Sequence, residues 1–169
     1  MSTSKRYKSV LLISAVVIAY ILLGFYRDTF FKNLNSQADV LHHRSPAFEL
    51  SAGTGFLKQF TTDGLMKLKW IMTCVFSLLF FFLGWITLKL FFGERKNRQL
   101  LLFAYLFVFS LSLLVYLSGK LFSSWEEQAF SLARNLVQAL QSPLIIMILI
   151  PVILLMKKSQ LNTGNSRSN

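Results

Sequence analysis

The run WIMTCVFSLLFFFLGWITLKLFF, residues 70–92, decides the fold. Its one charged side chain is Lys89, close to its end. About 20 such residues in a helix cross the ~30 Å hydrocarbon core of a bilayer. Lys67 and Lys69 flank the start, and Trp70 and Trp85 stand toward the two ends, as in an aromatic belt at the membrane–water boundary. The same pattern recurs outward in both directions. SVLLISAVVIAYILLGFY (9–26) precedes it, LLLFAYLFVFSLSLLVYLSGKLF (100–122) follows it, and a fourth apolar run covers 136–156.

The composition agrees. The chain has 169 residues, of which 54% are hydrophobic and 15% charged, with 17 Phe. A soluble domain of this size would lack the polar surface to cover so much apolar material. The expected fold class is therefore an all-α integral membrane protein with four transmembrane helices, the bilayer itself being its first partner. The net charge of +11 is carried largely in short clusters beside the apolar runs. Membrane topology explains that placement, so no nucleic-acid partner is expected.

The expected segments follow in order. Residues 1–8 form a basic terminus and 9–26 the first span, read as a retained signal anchor because GFYRDTFF offers no small-x-small cleavage site. Residues 27–66 form an external loop. Within it Phe30, Phe31, Leu34, Ala38 and Leu41 recur at helical spacing, which predicts a short amphipathic interfacial helix. Thr62 or Asp63 would cap the second span, 67–92. A basic hairpin (93–99), the third span (100–122) and an external cap with a helix start (123–135) come next. The S-x-x-E spacings Ser123–Glu126 and Ser124–Glu127 predict a capping box there. Pro143 and Pro151 interrupt the fourth span, 136–156, and 157–169 form a disordered tail.

Charge sets the expected orientation. Four spans put both termini on one side, together with Lys5, Arg6, Lys8, Lys89, Arg95, Lys96, Arg98, Lys157, Lys158 and Arg167, against one acid, Glu94. The other eight basic residues face the other six acids. Both termini should then be cytoplasmic.

Glu127, Ser131, Arg134, Gln138 and Gln141 are spaced by 4, 3, 4 and 3 residues. On a helix they fall in a stripe about 80° wide, running from the outer water into the membrane. Arg134, near the edge, could snorkel, but Gln138 and Gln141 lie deeper on the same face. Amides in lipid are usually satisfied across helix interfaces, so this face should pack on protein, either in this chain or in a partner. Other chemistry is thinly marked. Cys74, Arg134 and His42 or His43 could compose a thiol transpeptidase or protease site, but the cysteine lies in apolar MTCVF, which quiets a thiol. The single cysteine excludes an intramolecular disulfide. No phosphate loop or metal-ligand spacing appears, so no cofactor, metal or catalytic residue is assigned. A pore or transporter would require an oligomer, and homo-oligomerisation stays open.

Two segments, YILLGFYRDTFFKNLN (20–35) and LARNLVQALQSPLIIMILIPVILLMKK (132–158), resemble the small accessory membrane proteins encoded with bacterial exosortases, in particular the exosortase F system-associated family. The number and order of spans agree as well, whereas the 27–66 loop is longer than that family's. The resemblance implies a non-enzymatic inner-membrane accessory or assembly protein partnering an exosortase-type surface-protein sorting enzyme. Glu127, Arg134, Gln138, Gln141, Phe30 and Phe31 are the expected partner contacts.

Overall fold

The computed structural model describes the backbone of residues 3–42, 50, 53–122 and 125–166, and the side chains of 11–42, 50, 53–122 and 125–158. The described residues are helical, without strands. In order they form α1 (Thr3–Leu41), a 3-10 turn (Gly55–Gln59), α2 (Thr62–Phe91), α3 (Arg95–Leu121), α4 (Glu126–Leu140) and α5 (Leu144–Ser166). Three helical stretches are long and apolar enough to cross a membrane: Leu11–Leu41, Thr62–Phe91 and Arg95–Leu121. The α4–α5 pair, bent by 65°, makes a fourth if it is one broken span. The fold is thus all-helical over the described residues, with three to four candidate membrane spans. It divides into two compact units, Met1–Leu79 and Phe80–Asn169, with the boundary inside α2.

In the first unit α1 differs from expectation. The interfacial helix predicted inside the 27–66 loop is not a separate element, because α1 runs unbroken for 39 residues. At 1.5 Å per residue that is about 58 Å, nearly twice a hydrocarbon core. No Gly or Pro interrupts Phe25–Leu41, so nothing stops the helix. Nor is the apolar face of its second half left for a lipid surface. Phe30 and Leu34 are buried in a core with Leu57, Leu65 and Phe76. Tyr26, Phe30 and Phe31 all stack within 6.4 Å of Phe76. Lys69 Nζ donates to Asn35 Oδ1 at 2.9 Å, tying the start of α2 to α1. The first half is bare: Leu11 and Phe25 are each over 70% exposed, as a lipid-facing helix would be. The cap of α2 is neither Thr62 nor Asp63. Thr61 Oγ1 accepts from the Gly64 N–H at 3.3 Å, and the Thr61 carbonyl accepts the first helical bond from Leu65 at 2.9 Å. Along α2, Thr73 and Ser77 donate to carbonyls four residues back, which satisfies their hydroxyls inside an apolar helix.

In the second unit the end of α2, α3, α4 and α5 enclose Leu88, Leu101, Leu140, Ile146 and Leu149. The Phe92 and Gly93 N–H groups both donate to the Leu88 carbonyl, and Gly93, at φ 66°, reverses the chain in the left-handed conformation open to glycine. The basic hairpin is shorter than expected, since α3 already begins at Arg95. Arg98 lies over Trp85, 5.3 Å from its centroid, and Tyr105 meets Phe81 edge-on at 5.1 Å. The fourth span is not one kinked helix over 136–156. It breaks at Gln141–Pro143, where proline disfavours helix at the residue before it and Ser142 offers substitutes: its Oγ donates to the Ala139 carbonyl at 2.9 Å and lies 3.4 Å from the Leu144 N–H. Pro151, without such help, is carried inside α5. The helix extends to Ser166, past the expected end at Met156. The capping box at Ser123 and Ser124 lies outside the described residues. Trp125 precedes α4 without a side-chain cap.

Candidate partner-binding face on α4

α4 begins at a turn tied by Lys120, at the end of α3, donating to Glu126 Oε1. Glu126 and Glu127 occupy its first turn, where the helix dipole favours acids. The helix then lies along α3 in close antiparallel contact. Ser112 Oγ donates to the Ala133 carbonyl at 3.1 Å. At Gly119 an added Cβ would stand 2.6 Å from Ala129 Cβ. Small residues on both helices allow this approach, as is common where helices associate in lipid. The sequence carried that signal in Ala129-x-x-x-Ala133, and reading the polar stripe alone passed over it.

The packed face of α4 consists of Ala129, Ala133 and Leu140, all buried. Glu127, Ser131, Arg134 and Gln138 are exposed. At about 100° per residue their mean direction is roughly opposite the packed face. The stripe therefore points away from α3 and does not pack within the unit. Gln141 is the exception. It is 3% exposed, at the elbow between α4 and α5.

The register with α3 sets the depth of this face. Ser112 stands at the middle of the apolar run 100–122, so Ala133 and its neighbour Arg134 lie level with the centre of α3. Arg134 is about 10 Å further along the helix than Glu127. An exposed arginine level with a span's centre costs about 2.5–3.5 kcal/mol on insertion scales unless a polar surface or water receives it.

The other predicted site residues fall elsewhere. Phe30 is 4% exposed in the core of the first unit, and Phe31 packs edge-on against it with centroids 5.9 Å apart. The pair thus serves internal packing, because the turn at Leu57 and the start of α2 cover the face that a partner would have used. Cys74 is on the exposed side of α2. The Asn35–Lys69 and Phe30–Phe76 contacts run α1 and α2 antiparallel, which puts Cys74 near the level of Phe31, about 16 Å along the axis from His42. That separation is far beyond a thiol–imidazole hydrogen bond. His43 lies outside the described residues. Among the described residues no group of three or more His, Cys, Asp or Glu converges to hold a metal.

No protein-family model matches the chain, and neither a curated protein nor a solved structure shows significant similarity to it. The described residues offer three to four candidate spans' worth of apolar helix and one polar face level with the middle of the apolar run of α3.

Proposed function

We propose that the chain is a non-enzymatic accessory or assembly subunit of a bacterial inner membrane, with both termini cytoplasmic, and that the outward face of α4 docks a polar helix of a second integral membrane protein. One observation carries the reading: Arg134 and Gln138 are exposed on the side of α4 away from α3, at a level where lipid would leave them unsatisfied. A partner helix offering a carboxylate and amides would satisfy both. The resemblance of 20–35 and 132–158 to exosortase-associated proteins makes an exosortase-type sorting enzyme the partner of choice. In this reading Gln141, buried at the elbow behind α4, is not a contact, nor are Phe30 and Phe31, which pack in the core of the first unit.

The test is co-purification of the tagged chain with that sorting enzyme from native membranes. Arg134→Leu with Gln138→Leu should abolish recovery of the enzyme while the chain still inserts, since both changes favour lipid. Undiminished recovery from the double variant would remove α4 as the contact. A second reading draws on the same face: copies arranged with α4 inward would line a polar path. Ion or solute flux in liposomes containing this chain alone would favour it over the accessory role.

A further inference from the structure

A second polar feature lies at the opposite end of α3. The first turn of α3 and the end of the apolar part of α5 enclose an open cavity of about 390 Å³. Lys96 and Lys157 line it together with an apolar wall of buried Ile153 and the exposed side chains of Phe103 and Met156. Asn97 opens into it from α3. It is 9% exposed, and its amide makes no hydrogen bond among the described residues. The amide faces the cavity and can bond to an occupant there.

The helix end around Asn97 is also built for an anion. Glu94 precedes α3 with extended backbone and caps no N–H with its side chain. The first turn holds no acid and instead carries Arg95, Lys96 and Arg98, the reverse of what the dipole prefers. Free N–H groups, the dipole and clustered cations together attract a phosphate. Arg98 is turned onto Trp85 and serves packing. Glu94 is the one carboxylate at the mouth. It is half-exposed and holds Lys157 only loosely, at 4.0 Å, so a stronger anion can take that lysine over. A free phosphate would make no use of the apolar wall formed by Phe103, Ile153 and Met156, whereas a glycerol backbone with the first carbons of its acyl chains would. The mouth lies where α3 and the apolar part of α5 end, at headgroup level for helices that span.

We propose that this cavity is a binding site for an anionic glycerophospholipid, with the phosphate held by Lys96, Lys157, the Asn97 amide and the first N–H groups of α3, and the upper acyl chain against Phe103, Ile153 and Met156. The site is independent of the α4 face. It fixes the end of α3 against α5 in whichever leaflet α3 begins.

The test uses the full chain in detergent, incubated with phosphatidylglycerol or phosphatidylcholine, with retained lipid counted by native mass spectrometry. Phosphatidylglycerol should be retained and phosphatidylcholine should not. Lys96→Gln with Lys157→Gln should lower retention roughly tenfold to thirtyfold, as expected for two basic side chains at a headgroup. Asn97→Leu, which keeps the charge and favours helix, should also lower it. Lys32→Gln with Lys58→Gln, equal in charge change but far along the chain, should leave it unaltered. An equal loss in that control pair would reduce the effect to general surface charge and overturn the site. Displacement of the lipid by millimolar inorganic phosphate would overturn the lipid assignment in favour of a free-anion site. Equal retention of the two lipids would overturn both.

Discussion

Gly119→Ala tests the register on which the depth of Arg134 rests. The added methyl would stand 2.6 Å from Ala129 Cβ and 3.5 Å from the Glu126 carbonyl oxygen. Carbon atoms in contact sit about 3.5–4.0 Å apart, so the two helices must separate by about 1 Å or more at this level. The obstacle is a Cβ carried on backbone, which cannot swing aside as a long side chain would. Overpacking of this kind costs about 1–3 kcal/mol. The helix propensity of alanine over glycine returns about 0.8–1.0 kcal/mol. The net expectation is a destabilisation of up to about 2 kcal/mol. Ala129→Gly in the same chain removes the opposing methyl, so the double variant should recover most of the packing loss. The cycle should then show a coupling of about 1–2 kcal/mol, above the ~0.5 kcal/mol error of additivity for distant sites. Reversible unfolding in mixed micelles with increasing anionic detergent measures all four proteins. Additive effects, or a Gly119→Ala protein more stable than the parent, would refute the contact. The assignment of Arg134 to the centre of α3 would go with it.

Two further perturbations address the ends and breaks of helices. Thr61→Ala should cost about 1 kcal/mol by removing the acceptor of the Gly64 N–H, with faster amide exchange at Gly64, whereas Thr61→Ser should behave as the parent. Pro143→Ala restores an N–H and should straighten the 65° elbow. Spin labels at Ser131 and Leu155 lie about 16 and 19 Å from the elbow along their helices, so their separation should grow by about 5 Å. An unchanged distance would assign the bend to packing around Gln141 and Ile145.

Much of the architecture was legible because it follows from length and polarity. Apolar runs of bilayer length, each flanked by basic or aromatic residues, marked the helices. What periodicity could not supply was where a helix stops. The interval 27–41 reads as amphipathic whether it lies on a lipid surface or against protein. Only the arrival of Leu57, Leu65 and Phe76 on its apolar face makes it an extension of α1. Pro143 and Pro151 look alike in sequence, yet Ser142 takes up the Ala139 carbonyl beside the first and a break results, while the second is carried within α5. Thr61 lost its role as cap to its neighbours in the sequence reading because Thr62 and Asp63 are equally good cap residues, and the first helical hydrogen bond distinguishes them.

The polar stripe is the instructive case. Its five residues were visible at once, but a stripe states only that a face differs. Its four exposed members, Glu127, Ser131, Arg134 and Gln138, sit on a helix whose opposite face holds Ala129 and Ala133 against Ser112 and Gly119. In a soluble protein that would be an ordinary solvated helix surface. What alters its meaning is α3, whose Phe107, Phe109, Leu113 and Leu114 are exposed at the same level. A surface that is apolar on α3 and polar on the α4 laid across it cannot suit both lipid and water. If α3 faces lipid, the polar face of α4 is the part that a partner would cover. Neutralising the conflict inside the chain would require turning α4 by half a revolution, which would drive Arg134 and Gln138 into a contact so close that Gly119 has no room for a side chain. The close packing of small residues therefore keeps the charged face outward, and the mismatch it creates with the surrounding surface is what a partner helix would relieve.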